Sequence, residues 1–363
     1  MASDSTERIL SGRSWEDFCD RLRDAGEVVL RDATPMDAFD RAEGYRYLSR
    51  LTRVALESYI EAADPRAPVL RRPSHESVKI GADNPDNHYQ SAAISGAYEY
   101  RLSGTRGTVH YLGFGTYAGN YGSDARMGQS GYLEAADIEI GPDGRFEVHL
   151  SCEPRPGNWL RMEPDTSSLI VRQTYEDRAA ETIADLAIER VGAPNSPDPV
   201  TAEFVDEGLQ AAANYVFGTA SLFTDWAESF ASRPNELPLF DSERARAAHG
   251  DPNIVYYHGY WELGEDEALL VEVTPPRCEY WNFQLNNYWM ESLDYRYHQI
   301  ALNHHGAALE PDGSVRLVVS HRDPHHPNWI ETAGHRRGTM CLRWIRAESQ
   351  PQPATRVVPF DSL

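Results

Sequence analysis

Lysine is almost missing from this chain of 363 residues: Lys79 stands alone, and every other cationic side chain apart from histidine is an arginine. Usage this lopsided reads as a coding bias rather than a chemical requirement. A Schiff-base role for Lys79, which needs a desolvated amine in a pocket, is the weaker alternative. Cysteine is also scarce. Cys19, Cys152, Cys278 and Cys341 lie far apart with no C-x-x-C pair, which argues against a disulfide framework or a structural zinc site and fits a reducing, cytoplasmic compartment. No apolar run approaches the roughly 20 residues of a membrane span, and the first residues, MASDSTERIL, show neither a cationic start nor an apolar stretch. Acidic residues outnumber Lys and Arg by 56 to 34, giving a formal charge of −22. That sign repels phosphate backbones and anionic lipid, so nucleic-acid and membrane partners are disfavoured. A G-x-x-x-x-G-K loop is missing as well. GQSGY (128–132) is too short to make a serine nucleophile elbow, and no cysteine has a neighbouring histidine motif.

What is present is a repeat. PDGRFEVHLSCEPRPGNWL begins at Pro142 and PDGSVRLVVSHRDPHHPNWI at Pro311. They share a turn, an alternating strand, a serine (Ser151, Ser320), an acid–proline pair and an Asn-Trp. SLIVR ends at Arg172 and TMCLR at Arg343; Val109–Phe114 matches Cys278–Phe283. The chain therefore divides into copy one, 1–174, and copy two, 175–363. Helical patterns precede strands in each: 14–30 and 37–62, then 175–190 and 200–232. FEVHL, VRLVV, EALLVEV, CEYWNFQL and TMCLRWI read as short strands. The expectation is an α+β, mainly β protein of two tandem antiparallel β-sandwich or jelly-roll modules, each preceded by a helical segment.

NPDNHY (84–89) and YRLSG (100–104) in the front half, with DGS (312–314), NWI (328–330) and CLRW (341–344) near the end, resemble a bacterial family of uncharacterised proteins. Its C-terminal part is the domain of unknown function 1214, often accompanied by a front domain numbered 1254. The resemblance covers most of the chain and implies a β-sandwich or jelly-roll for each half. It brings no activity and no catalytic residue.

Duplication offers an internal control: shared features build the fold, and features of one copy are freer to carry function. By that rule Asn158-Trp159, Asn328-Trp329, Arg172 and Arg343 are scaffold. The asymmetric feature is histidine, since His304, His305, His321, His325, His326 and His335 crowd into copy two. His321, His325 and His326 with Asp323 could ligate a divalent metal, although Pro324 and Pro327 forbid the helix on which H-x-x-x-H is diagnostic. A solvated loop is the plainer reading, and no other cofactor is implied. In SLDYRYHQ, strand geometry would place Asp294, Arg296 and His298 on one face and Tyr295 and Tyr297 on the other, suiting proton transfer. An outward-facing edge strand is the equal alternative. The glycine-rich stretch 113–132, with Tyr117, Tyr121, Asp124 and Arg126, resembles a lid. Its counterpart in copy two carries Tyr288 and Trp289. Asp83 and Asp86 stand at an Asx-type turn or at a pocket rim.

These residues favour an enzyme, a hydrolase or lyase by preference. It would apply His/Asp/Tyr/Arg acid–base chemistry to a small, partly apolar molecule in a pocket between the modules or at their loop ends. In that reading His298, Asp294, Arg296, Tyr295, His321 and Asp323 are catalytic, and Tyr117, Tyr121, Asp124, Arg126, Tyr288 and Trp289 bind substrate. The alternatives are a non-catalytic binder of a carbohydrate or apolar metabolite, and a metal-dependent enzyme using the 321–326 histidines. A homo-oligomer is compatible with each.

Overall fold

The repeated sequence signals fold into repeated strands. A computed structural model describes residues 4–122, 127–194 and 196–363. Copy one contributes β1 (Asn87–Ala93), β2 (Tyr100–Thr105), β3 (Tyr111–Ala118), β4 (Gly128–Glu134), β5 (Arg145–Ser151), β6 (Trp159–Arg161), β7 (Thr166–Thr174) and β8 (Asp185–Arg190). Copy two contributes β9 (Ile254–Glu262), β10 (Glu267–Val273), β11 (Tyr280–Leu285), β12 (Ala301–Asn303), β13 (Val315–Ser320), β14 (Trp329–Glu331), β15 (Arg337–Ile345) and β16 (Ala354–Pro359). Each copy makes two four-stranded sheets: β1-β7-β3-β4 with β6-β5-β2-β8, and β9-β15-β11-β12 with β14-β13-β10-β16. The two topologies superpose strand for strand. Pairing is antiparallel except for the short parallel additions β5–β6 and β13–β14.

Alternation drives each copy shut. Leu102, Phe114, Val148, Leu150, Leu169 and Val171 meet in the core of copy one, and Trp261, Leu269, Phe283, Leu317, Leu342 and Trp344 in that of copy two. Both sheets of a module contribute, which is the condition for a sandwich. At each PDG turn the glycine, Gly144 or Gly313, takes φ near 80°, where an L side chain is strained.

Helices α1 (Asp4–Ser11), α2 (Arg13–Val29), α3 (Ala38–Leu56) and α4 (Ala202–Ala231) form a separate layer, and α5 (Ser242–Ala247) is a short turn before β9. Asp37 and Thr201 cap α3 and α4 by accepting the amides of Asp40 and Phe204. Phe18, Val28, Tyr47, Leu51, Leu209 and Val216 are buried together there, so the leading helices of both copies share one core.

One expected helix is a strand. Residues 175–190 are rich in Ala and Glu, yet Asp185–Arg190 is β8, paired along its length with β2. Ile188 is buried and Leu186 packs against the copy-one core. Pairing with an open sheet edge outweighs a helix preference of a few tenths of a kcal/mol per residue. The strand completing the second sheet of copy one therefore lies beyond residue 174.

The Asn-Trp turns repeat atom for atom. Asn158 Nδ2 donates to Glu139 O and Glu147 O, and its Oδ1 accepts from Glu139 N. Asn328 does the same with Ala308 O, Arg316 O and Ala308 N. Trp159 and Trp329 Nε1 donate to Ser151 O and Ser320 O. All of these partners lie within one copy.

Candidate functional site

The two copies are held together by an exchange. The lead-in to β1 lies on the sheet of copy two: Asn282 Nδ2 donates to Asn84 Oδ1, Gln284 Nε2 to Asp83 O, and the Tyr280 hydroxyl to Asp86. The lead-in to β9 lies on the sheet of copy one, where the Tyr111 and Tyr132 hydroxyls donate to Asp251 at 3.2 and 2.6 Å. Two arginines close the exchange. Arg172, on the interior strand β7, donates to His249 O, and Arg343, on the interior strand β15, donates to Ala82 O. Ala82 and His249 both adopt positive φ, 57° and 60°, which turns each carbonyl toward the guanidinium of the other copy.

Between these clasps lies a cavity of about 300 Å³ walled by both copies, at the small end of the range for small-molecule sites. Arg172 and Arg343 line it, 9% and 4% exposed. Arg172 Nη1 also donates to the Tyr117 hydroxyl at 2.9 Å, and Arg343 Nη1 to Gln284 Oε1 at 2.5 Å. Among the described residues neither arginine forms an ion pair. Asp83 is held by the Ser292 amide and hydroxyl, Asp86 by Tyr280 and Asn303, and Asp251 by two tyrosines. Arg71 adds a third guanidinium to the lining; its Nε and Nη1 are buried without a hydrogen-bond partner among the described residues. Buried guanidiniums without a carboxylate in contact are costly, and an anion would offset that cost.

The rest of the wall is largely aromatic and neutral; Asp83 also lines it, its carboxyl bonded to Ser292 and shifted toward the protonated form by burial. Tyr59, Tyr121, Tyr215, Phe223, Trp226 and Tyr256 supply apolar surface. His249 and His258 also line it. Burial, reinforced by Arg172, lowers His249 to about 4; burial, reinforced by Arg343, lowers His258 to about 3. Both imidazoles are therefore neutral near pH 7. His258 stacks on Phe230 and on Tyr256, and among the described residues its Nδ1 has no hydrogen-bond partner. Its cross-strand neighbour Cys341 has Sγ 4.0 Å from Nε2, and burial pushes that thiol up to about 11. This pair is too far apart and too desolvated for a nucleophile–base dyad.

The residues singled out by sequence fall in several places. Tyr121 lines the cavity and donates to Ala248 O; Tyr117, buried on β3, sits behind Arg172. Asp124 and Arg126 lie outside the described residues. Most of the glycine-rich stretch is β3 and β4, and the part after β3 is pinned on α4: a Cβ on Gly122 would stand 2.0 Å from Asn214 O. Tyr288 and Trp289 bond to Ala33 O and Asp40 O, against the helical layer rather than the cavity. Residues 294–298 are turns, not a strand. Asp294 pairs with Arg296, Tyr295 lies against the Lys79 ammonium, and His298 Nδ1 meets Glu331 at 2.8 Å. His321 bonds to Thr332 Oγ1, Asp323 accepts the His325 amide, the His325 side chain is 92% exposed, and His326 accepts the Asn328 amide. None of these lines the cavity. Lys79 donates to the carbonyls of Ser292 and Leu293, an anchoring role.

Sequence reading missed Arg71, His249 and His258, and it took Arg172 and Arg343 for scaffold. A signal was available for the last two. Each is a charge inside an otherwise apolar strand, SLIVR or TMCLRWI, where unpaired arginine is rarely buried.

Comparison with known proteins agrees with this architecture. The chain is 51% identical to an uncharacterised protein from Burkholderia cenocepacia, over 98% of this chain and 99% of that one, with a TM-score of 0.96. The VPA0106 protein from Vibrio parahaemolyticus is 12% identical over 93% of this chain and 100% of that one, with a TM-score of 0.48. No curated protein matches, and no helix among the described residues is long and apolar enough to cross a membrane. The model for the protein of unknown function (DUF1214) matches residues 268–349, which cover β10 to β15, and with the near-complete likeness to the Burkholderia protein this places the chain in the DUF1214 family of uncharacterised proteins.

Proposed function

We propose that the protein binds a small organic anion, a carboxylate on an aromatic or otherwise apolar body, in the cavity between its two copies. One observation carries this reading: Arg172 and Arg343, buried and without ion-pair partners among the described residues, reach that cavity from equivalent strands. Two guanidinium forks, one from each copy, match a carboxylate better than a hydroxyl or amide. The tyrosines, Phe223 and Trp226 would take the apolar body. A panel of aromatic and aliphatic acids, each beside its amide and alcohol, tests this by thermal shift, because a ligand bound only by the native state raises Tm. Acids that stabilise while their amides do not support the reading; equal response across each trio removes it.

Proton transfer on that ligand is the second reading, favoured by the unpartnered Nδ1 of His258 at the cavity. An imidazole lowered to about 3 is a weak base, so it can accept a proton only where the bound carboxylate stabilises the imidazolium that forms. Replacing His258 with Phe would then abolish turnover and keep ligand binding; equal turnover in the variant removes the enzymatic reading and leaves the binding one.

A further inference from the structure

A second constellation lies outside the cavity, at another place where the copies meet. One ligand atom each from His110, Glu176 and Glu181 lies within 4.8 Å of the other two. His110 Nε2 is 2.9 Å from Glu279 O, a carbonyl that can only accept, so the ring proton belongs on Nε2. The lone pair of Nδ1 is left pointing at Glu176 Oε2, 3.1 Å away. Two acceptors at that separation repel unless a proton or a cation sits at the contact. Glu181 is held in place by the amides of His110 and Glu176. Copy two supplies His304, whose Nε2 meets the other Glu176 oxygen at 2.8 Å. His305 stands 3.9 Å from the same carboxylate.

This is the pattern of a metal site with its supporting partners. The ligating histidine gives its second nitrogen to a backbone carbonyl, and the ligating carboxylate is braced by a neighbouring imidazole. We propose that His110 Nδ1, Glu176 and Glu181 bind a divalent transition metal of the zinc type, with His304 as the positioning residue that ties the site to copy two. One nitrogen and two carboxylates leave coordination positions open to water. Large oxygen-seeking cations such as Ca²⁺, which want six to eight oxygens, fit the set poorly.

The test uses full-length protein without a histidine tag, stripped with chelator and titrated with Co²⁺ while its visible absorption is recorded, then competed with Zn²⁺. The expected result is one saturable Co²⁺ per chain, displaced by Zn²⁺ and not by Ca²⁺. H110Q and E181Q should each lose the spectrum. H304Q should keep it with affinity weakened roughly 10- to 100-fold, as for loss of a supporting partner. All three side chains are partly exposed, and circular dichroism of each variant checks its fold. A chain carrying H321Q, H325Q and H326Q together should bind as wild type does. The proposal is overturned if no saturable binding occurs, if H110Q and E181Q bind normally, or if the triple variant is the one that loses the metal.

Discussion

Two features are duplicated in this chain with equal fidelity, and they do different things. The Asn-Trp turns repeat contacts that stay inside one copy, joining a turn to the strands beside it. The arginines of β7 and β15 repeat contacts that leave the copy, each ending on a carbonyl of the other. Repetition alone therefore does not mark scaffold. In a fused pair, residues at the shared seam occur twice because both walls need them, as in an isologous interface. Where the partner lies decides the matter.

The largest expected effect tests the scaffold side. Asn328 is 1% exposed and satisfies three backbone groups. Asn328→Ala should cost about 3 kcal/mol in denaturant unfolding, since each stranded buried group costs about 1–3 kcal/mol. The same change at the more exposed Asn158 should cost about 1 kcal/mol. Equal losses would show that burial does not separate the copies.

The arginines should respond differently. Arg343→Met removes a charge that has no ion-pair partner among the described residues, so relief of desolvation offsets part of the lost hydrogen bonding. Its stability loss should be smaller than that of Asn328→Ala, while the thermal shift caused by carboxylate ligands disappears. A retained shift would break the contrast between the two duplicated features.

Acid should separate the cavity wall from the rest. His258 falls from 6.5 to about 3 in the folded chain. As pH drops through that window the unfolded chain takes up the proton first, so His258 withdraws stability from pH 6.5 downward. The buried acids Asp83, Asp86 and Glu291 shift upward and act oppositely, but they are common to wild type and variant. His258→Phe should flatten the acid loss by up to about 1.4 kcal/mol per pH unit; parallel curves would contradict the desolvated imidazole.

The smallest effects concern single partners. Arg71→Gln should weaken carboxylate binding roughly tenfold, about 1.4 kcal/mol, without lowering stability, since it removes a desolvated charge that has no ion-pair partner among the described residues. His298→Gln should change neither, and a lost ligand response there would return attention to the turn at 294–298.

The sandwich architecture was legible because alternation and PDG turns are local properties, and the repeat confirmed them internally. Residues 175–190 were misread because helix propensity is local and the open edge of β2 is not. The site was illegible for a related reason. Arg71, Arg172, His249, His258 and Arg343 are spread over more than two hundred positions, and only the exchange of lead-ins gathers them. Asp294, Arg296 and His298 were persuasive because strand spacing would align them, yet the chain turns there.

The crossed clasps also bear on ancestry. Each half holds the segment that covers the sheet of the other, so neither is a finished protein when severed. A forerunner of half this length would have met its needs by pairing with itself and trading arms, its central hollow bounded by two identical walls. Within the single chain the two walls are no longer identical: the arginine on β7 faces Gly113 across the sheet, and the one on β15 faces Asn282.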